Sequence, residues 1–346
     1  MNSTRLSGPH TPDRDTTSVV PAGEFTAPHR ATRPSVGRRF LWWLTNDPRH
    51  QSQLTPAEKN ELDWLRIVPF VGLHLGCLMV FAVGVSTAAL AAAIALYVLR
   101  MFFVTAFYHR YFSHRAFRAG RATQLVMAIL GATAGQRGPL WWAAHHREHH
   151  LSADTAKDPH SPEHRGVFFS HTLWFLTRGN FQLQRERVKD WLKYPELRLL
   201  EKLDWVPFLL LAAGCYATGW FLESRYPGLG TNGAQMLVWG FFVSTVVLYH
   251  ATYSINSIAH RYGRRPFPTR DQSRNNFWLA LFTLGEGWHN NHHYYPASAR
   301  QGFRWWQIDI SYVGLRLLAS VGLITDLRPV PRAVLAAARG RKGSLQ

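Results

Sequence analysis

The chain is poor in cysteine, in acidic residues and in charge generally. Its 346 residues include two cysteines, Cys77 and Cys215. That excludes a disulfide scaffold, a thiolate zinc site and an iron–sulfur cluster, each of which needs more sulfur. Charged residues make up 17%, against about 25% in a typical soluble protein. Acidic residues number 21 against 39 lysines and arginines, for a net charge of +18. No G-x-G-x-x-G fingerprint opens a strand–helix unit, so no dinucleotide-binding domain is expected. The first forty residues hold no apolar leader and are rich in Pro, Ser, Thr and Arg. Residues 1–39 therefore read as a disordered tail.

What the chain has in quantity is apolar. Such residues reach 47%, and they are clumped. Four stretches, 67–85, 87–108, 205–222 and 234–253, approach the roughly 20 residues that cross a bilayer. Only Val85, Ser86 and Thr87 join the first two, which predicts a hairpin, and the second pair predicts another. Both cysteines fall inside spans, as packing residues. Arg100 interrupts the second span. Facing lipid it would cost about 2.5–3.5 kcal/mol, so it is expected to face the interior beside a partner.

Charge placement orients these spans. The first hairpin turn has no Lys or Arg, and residues 223–233 have only Arg225. Arg100 apart, the other basic residues lie in the N-terminal tail, in 109–204 or after His260. Positive charge marks the cytoplasmic side, so both termini and the two long connections belong there. Basic segments beside apolar spans suit anionic lipid headgroups rather than nucleic acid. Residues 40–66 read as an amphipathic lead-in, in which Thr55-Pro56-Ala57-Glu58 has the pattern of a capped helix start. Residues 123–133 are apolar but too short to span. Residues 189–203 read as a surface helix, 308–324 as a last helical stretch, and 331–346 as a basic, fraying tail.

Histidine is the other excess, with 18 residues. Half fall into boxes: His109 and His114; His146, His149 and His150; His260, four after Asn256; and His289, His292 and His293. Residues at i, i+3 and i+4 share one helix face, so each HxxHH triplet points one way. His109 and His114, five apart, are about 140° out of phase on a regular helix and converge only if the helix breaks. Every box lies at the cytoplasmic end of a span. Nine imidazoles are too many for one ion and suit two, of Fe, Zn, Cu or Ni by ligand type alone. His145, Glu148 and His149 also fit an inverted zinc-protease pattern, which leaves the other boxes unexplained. Transport sites lie near the membrane midplane, so ligands at one face argue against a metal transporter.

These boxes are similar to those of the membrane acyl desaturases, in the stearoyl-CoA and bacterial delta-9 branch. Asp158-Pro159-His160, the run Arg165 to His171, Asn256-Ser257 and the run Gly285 to Asn290 extend the resemblance, as does Ser298-Ala299-Arg300. It covers about residues 40–328. It implies an all-α integral membrane domain over 40–330, with four transmembrane helices in two hairpins and a helical cytoplasmic cap holding a di-metal site, in a bacterial inner membrane. It implies two Fe2+ ions on the nine boxed histidines, with Asn256 acting on one through a water. Ala144-His145 stand where the animal acyl-CoA enzymes carry an Arg-Asp pair, which leaves CoA and lipid headgroups both open.

The chemistry follows from the substrate class. An unactivated methylene has no acidic proton and no leaving group, so activated oxygen must remove its hydrogens, and a cofactor carries that chemistry. The balance is –CH2–CH2– + O2 + two electrons + two protons giving –CH=CH– and two waters. Oxygen transfer in place of the second abstraction would make the chain a hydroxylase. Electrons must come from a separate donor of ferredoxin or cytochrome b5 type on the basic face. Regioselectivity requires a tunnel. Trp141, Trp142 and Trp278 are candidate walls, and Tyr97 and Ala93, about 18–24 Å before His109 along a helix, are candidates for its floor. Asp154, Asp158 and Glu286, with Glu148 less specific, are placed to orient imidazoles. His145, His160, His171 and His250 read as structural.

Overall fold

The structure is a computed structural model that describes residues 35–46 and 54–340. His10, His29 and His50 lie outside them, as do most of the N-terminal tail and the last six residues. Four helices are long and apolar enough to cross a membrane: Trp64–Val83, Thr87–Ser113, Trp205–Arg225 and Gly233–Ser257. They are called spans 1 to 4. Their outer faces are apolar, as lipid contact demands: Phe81, Ile94, Leu210 and Trp220 all stand exposed.

Local chemistry sets the ends. Asp63 caps span 1 by accepting from the Leu65 amide, and Ser86 caps span 2 by accepting from the Ala89 amide. Asn232 caps span 4 through the Gln235 amide at 2.9 Å. At the end away from the histidines, Gln235 Nε2 donates to the Val83 carbonyl and Trp239 Nε1 to the Gly84 carbonyl, both at 2.8 Å. These bonds tie one hairpin to the other. Arg100 is buried between spans 2 and 4, as expected of an intramembrane cation. Its guanidinium donates to Thr245 Oγ1 at 2.7 Å, to Ser244 Oγ and to the Leu96 carbonyl. With a longer bond to the Thr133 carbonyl at 3.5 Å, its partners are hydroxyls and carbonyls.

Span 2 departs from the expected regular helix. It is α-helical over Thr87–Phe102 and a π-helix over Phe103–Ser113. In a π-helix residues five apart are hydrogen-bonded neighbours. His109 and His114 therefore share a face without any break, and their ring centroids are 5.0 Å apart.

The remaining segments form a cap over one end of the spans. Its helices Arg121–Ala132, Pro139–Ser152 and Pro195–Lys202 pack with span 2 around a core that includes Phe112, Leu140 and Leu197. Two short strands, β1 (Arg118–Ala119) and β2 (Ile324–Thr325), pair antiparallel with Ala119 opposite Ile324. They fasten the late chain to the segment after span 2. The capping box at Thr55 forms as read from sequence, with Glu58 closing it. The last helical stretch is Ile310–Ser320. Two expectations change. Helix Val36–Leu44 starts inside the expected tail. Residues Arg332–Gly340, expected as tail, are helical, with Val334 and Leu335 packed against Phe267 and Phe303.

Candidate metal centre

The helix Pro139–Ser152 carries His146, His149 and His150. Its first turn shows how it is placed. Gly138 supplies no side-chain cap. Glu201 does so instead, accepting from the Leu140 amide at 3.0 Å and the Trp141 amide at 3.2 Å. The carboxylate lies so close that a Cβ on Gly138 would come within 2.2 Å of it. Burial and the nearby Asp204 push the Glu201 carboxyl up to about 7. Arg147, between the ligand-type residues, donates to the Phe112 and Ser113 carbonyls at 2.8 and 2.9 Å. Those carbonyls stand at the end of span 2, beyond the last helical partners, so one arginine locks the second box onto the first.

All nine boxed histidines converge, in two adjacent groups. His109, His114, His146, His150 and His292 form one, and His149, His260, His289 and His293 form the other. In the first group the Nε2 atoms face each other. The separations are 3.0 Å for His109–His292, 2.8 Å for His114–His146, 3.0 Å for His146–His150 and 2.9 Å for His150–His292. In the second group His260 and His289 Nε2 are 3.0 Å apart. Rings of His150 and His293 stack at 4.4 Å where the groups meet.

The outward nitrogens decide what those contacts are. His149 Nδ1 meets Asp158 at 3.0 Å, His260 Nδ1 meets Asp154 at 2.8 Å, and His293 Nδ1 meets Asp271 at 2.9 Å. His109 Nδ1 meets Glu286. A carboxylate only accepts, so each of these rings carries its proton on Nδ1 and a lone pair on Nε2. His293 Nε2 is buried with no protein partner. Each Nε2 offers either one proton or one lone pair, so the four linked contacts of the first group cannot all be linear hydrogen bonds, and a cation among them relieves the repulsion that is left. Two nitrogens about 2.1 Å from one ion and at right angles lie about 3.0 Å apart. The donor set thus fits one metal ion per group.

Electrostatics favour the neutral form at most of these rings and the ionised form at the carboxylates, while Asp158 raises His149 against its burial. Burial, followed by neighbouring imidazoles, drives His114, His146, His150, His289 and His292 well below the ordinary histidine value. Burial alone would raise Glu286, but His109 and Arg110 facing it hold it below the usual carboxylate range. Asp154, Asp158 and Asp271 are likewise held down against burial by the imidazoles they accept from. Asp154 does this from a left-handed backbone, φ 58°, which turns its carboxylate to His260 Nδ1 and to the Gln272 amide. Asp271 was not singled out from sequence. The available signal was that no other acid stands between Asn256 and Glu286.

Neighbouring groups resolve into supports. His149, Asp158 and His160 also lie close enough to hold an ion. Asp158 is already engaged, however, accepting from His149 Nδ1 at 3.0 Å and from the Asp154 and His160 amides at 2.9 and 3.1 Å, so this group orients His149. The protease-like trio does not assemble: His145 Nε2 meets the Gln182 carbonyl and Glu148 pairs with Arg187. His171 and His250 join with His74 in a string of imidazole contacts of 3.0 and 3.1 Å that ties the cap to spans 1 and 4.

The fatty acid desaturase family matches residues 85–316. An acyl-CoA 5-desaturase of Anemone leveillei is 38% identical over 280 residues, covering 80% of this chain and 82% of the relative. An sn-1 stearoyl-lipid 9-desaturase of Anabaena variabilis is 33% identical, covering 80% and 97%. A delta-9 acyl-lipid desaturase of Arabidopsis thaliana is 35% identical, covering 77% and 84%. The chain belongs to the fatty acid desaturase family. It is an oxidoreductase acting on fatty acyl chains.

A cavity of about 680 Å³ runs from the metal centre of this desaturase into the membrane end, between spans 1, 3 and 4. Its walls are largely aromatic, including Phe70, Phe175, Phe208 and Phe242, and it reaches the centre at His146 and Asn256. Trp141 and Trp142 line it. Trp142 also stacks on His146 at 5.0 Å. Gln136 crosses it, donating to Thr252 at 3.1 Å. Three anticipated tunnel residues are not among its lining. Trp278 is 66% exposed, because its short helix Phe277–Phe282 turns Ala280 inward and its aromatics outward. Ala93 is buried on span 2, and Tyr97 donates to the Phe282 carbonyl at 2.6 Å.

Proposed function

We propose that this desaturase uses O2 at two iron ions to place a cis double bond, at the delta-9 position, in a saturated chain carried as acyl-CoA or acyl-lipid. The observation that carries this is the pairing of two imidazole groups whose ring nitrogens converge within each group. Imidazole suits several metals. The reaction selects among them, because zinc has no redox chemistry and methylene oxidation needs it. When bound, the iron pair supplies O2 activation.

The chain's own residues do the rest. Five histidines would hold one ion and four the other. Asp154, Asp158, Asp271 and Glu286 fix the ring protons on Nδ1. Asn256, one turn before His260 and lining the cavity, would act on the ion of the four-histidine group through a water. The aromatic cavity holds a flexible acyl chain in one course past His146 and keeps bulk water from the centre. The basic cap faces the cytoplasm and receives a separate, acidic electron donor, and turnover should fall as salt screens that encounter.

Expression in a host with a simple lipid profile tests the reaction. A new monounsaturated acid should appear with the wild-type chain and be absent with His149→Ala. A product one oxygen heavier would identify a hydroxylase instead.

A further inference from the structure

Residues 277–284 carry no charged side chain. The helix Phe277–Phe282 turns Phe277, Trp278, Leu281 and Phe282 outward, and all four are exposed. A contiguous apolar patch of that kind marks a contact surface. Its depth beside span 2 shows what it contacts. Tyr97 Oη donates to the Phe282 carbonyl at 2.6 Å. Span 2 starts at Thr87 and is α-helical to Phe102, which puts Tyr97 about 15 Å along it. The hydrocarbon core of a bilayer is about 30 Å thick. Side chains on a helix lean toward its N-terminus, which for span 2 is the end away from the cap. The tip of the short helix therefore reaches about half-way through the bilayer.

The turn at that tip is built for hydrocarbon. Backbone polar groups there must find their partners within the protein, and the last carbonyls of a helix have none of their own. The Phe282 carbonyl takes the Tyr97 hydroxyl, and the Leu284 carbonyl takes the Ser311 amide at 2.9 Å. The Ala280 carbonyl takes the Gly285 amide at 2.7 Å. Leu284 and Gly285 reverse the chain with φ of 55° and 126°. The returning limb lies so close that a Cβ on Gly287 would sit 2.0 Å from the Ala280 nitrogen. The Asn276 amide closes the loop on the Gly287 carbonyl at 2.8 Å.

A second segment joins this one at a shallower level. Ser311 and Thr105 hydroxyls are 2.6 Å apart, and a Cβ on Gly314 would meet the Phe102 ring. Both contacts lie on the cap-side half of span 2. Along the helix Ile310–Ser320 and just past it, Ile310, Val313, Leu317 and Val321 form one exposed stripe at spacings of three and four. Trp305 and Trp306, also exposed, precede it, as tryptophans do at a membrane boundary.

We propose that the chain enters the cap-side leaflet at two places besides its four spans. Residues 277–284 form a re-entrant wedge beside span 2, and residues 310–321 lie in the boundary above it. Their partner is lipid, continuous with the lipid that meets spans 2 and 4. The inference goes beyond the reaction and does not depend on it. It gives the last histidine box a membrane anchor, because the wedge's returning limb runs directly into Glu286 and His289.

The test uses the full iron-loaded chain in lipid nanodiscs, with Cys77→Ala and Cys215→Ala. Single cysteines introduced as Phe282→Cys, Leu317→Cys, Leu210→Cys or Arg270→Cys each carry a nitrobenzoxadiazole dye. Leu210 is an exposed lipid-facing residue of span 3, and Arg270 is exposed on the cap. All four changes alter exposed side chains and spare the core. Quenching by aqueous iodide is compared with quenching by lipids brominated near the headgroup or deep in the acyl chain. The Arg270 position should respond to iodide. The Phe282 position should respond to brominated lipid as Leu210 does, most strongly to the deep bromines, and the Leu317 position most strongly to the shallow ones. Iodide quenching at Phe282 and Leu317 equal to that at Arg270 would overturn the proposal. Protection of both from iodide and bromine, while Leu210 responds, would overturn it in favour of a second copy of the chain covering this face.

Discussion

At the scale of single residues, the centre is governed by which nitrogen of each ring holds the proton. Four carboxylates settle this for His109, His149, His260 and His293. Asp271 is the simplest to probe, since its other bonds are local ones to the Ser273 amide and His293. Removing such a support typically costs ten- to a hundredfold in metal affinity. Asp271→Ala should therefore lower occupancy of the four-histidine site while the five-histidine site stays filled. Metal analysis after a graded chelator wash should show iron falling from about two toward about one per chain, and loss of both ions together would count against this division. The common face of each HxxHH triplet was legible from spacing because i, i+3 and i+4 fix a face whatever the tertiary context, whereas His109, His114 and His260 joined them through the resemblance. Asp271 was not legible, because it reaches His293 through a loop whose course no local pattern encodes. Trp278 misled for a related reason: an aromatic beside a box looks the same whether it faces a cavity or the bilayer.

At the scale of elements, two features position the ligands. One is the π-helix Phe103–Ser113, which brings His109 and His114 onto one face. Sequence exposed the problem, a spacing of five, but not its solution, since nothing in Phe-Val-Thr-Ala-Phe-Tyr separates π from α locally. This wide turn packs against the helix Arg121–Ala132 so tightly that a Cβ on Gly131 would sit 2.1 Å from the Tyr108 ring. Gly131→Ala should destabilise the protein by about 1–3 kcal/mol, read as a lower thermal midpoint in detergent; an unchanged midpoint would show that Tyr108 is free to move. The other feature is Glu201 at the start of the Pro139–Ser152 helix. Its folded-state value of about 7 lies above the ordinary carboxylate value of about 4.3. The folded state therefore binds the proton more tightly, and this group's contribution is complete below about pH 4.3 and is lost as pH rises toward 7. Comparing thermal midpoints across that window, Glu201→Gln should show a shallower decline with pH than the wild-type chain. A parallel decline would mean that Glu201 does not carry it.

At the scale of the whole molecule, the fold separates two solvents. Four apolar helices meet the bilayer, and the polar chemistry sits where their ends meet the cap. Hydropathy made the spans legible to within a few residues because the bilayer imposes both length and composition. The cavity was not legible. It lies between spans 1, 3 and 4, and its course depends on how helices far apart in sequence pack, so residues chosen along span 2 fell outside its lining. The same packing brings Arg66 of span 1 to Arg137 and Phe181 of the cap, a juxtaposition that no stretch of sequence displays.

The account depends on two ions, each enclosed by its own set of imidazoles. Diffraction from crystals of the iron-loaded protein, recorded at the iron absorption edge, tests this most directly. Two anomalous peaks should appear, one among His109, His114, His146, His150 and His292 and one among His149, His260, His289 and His293. A single peak, or peaks away from these nitrogens, would contradict it.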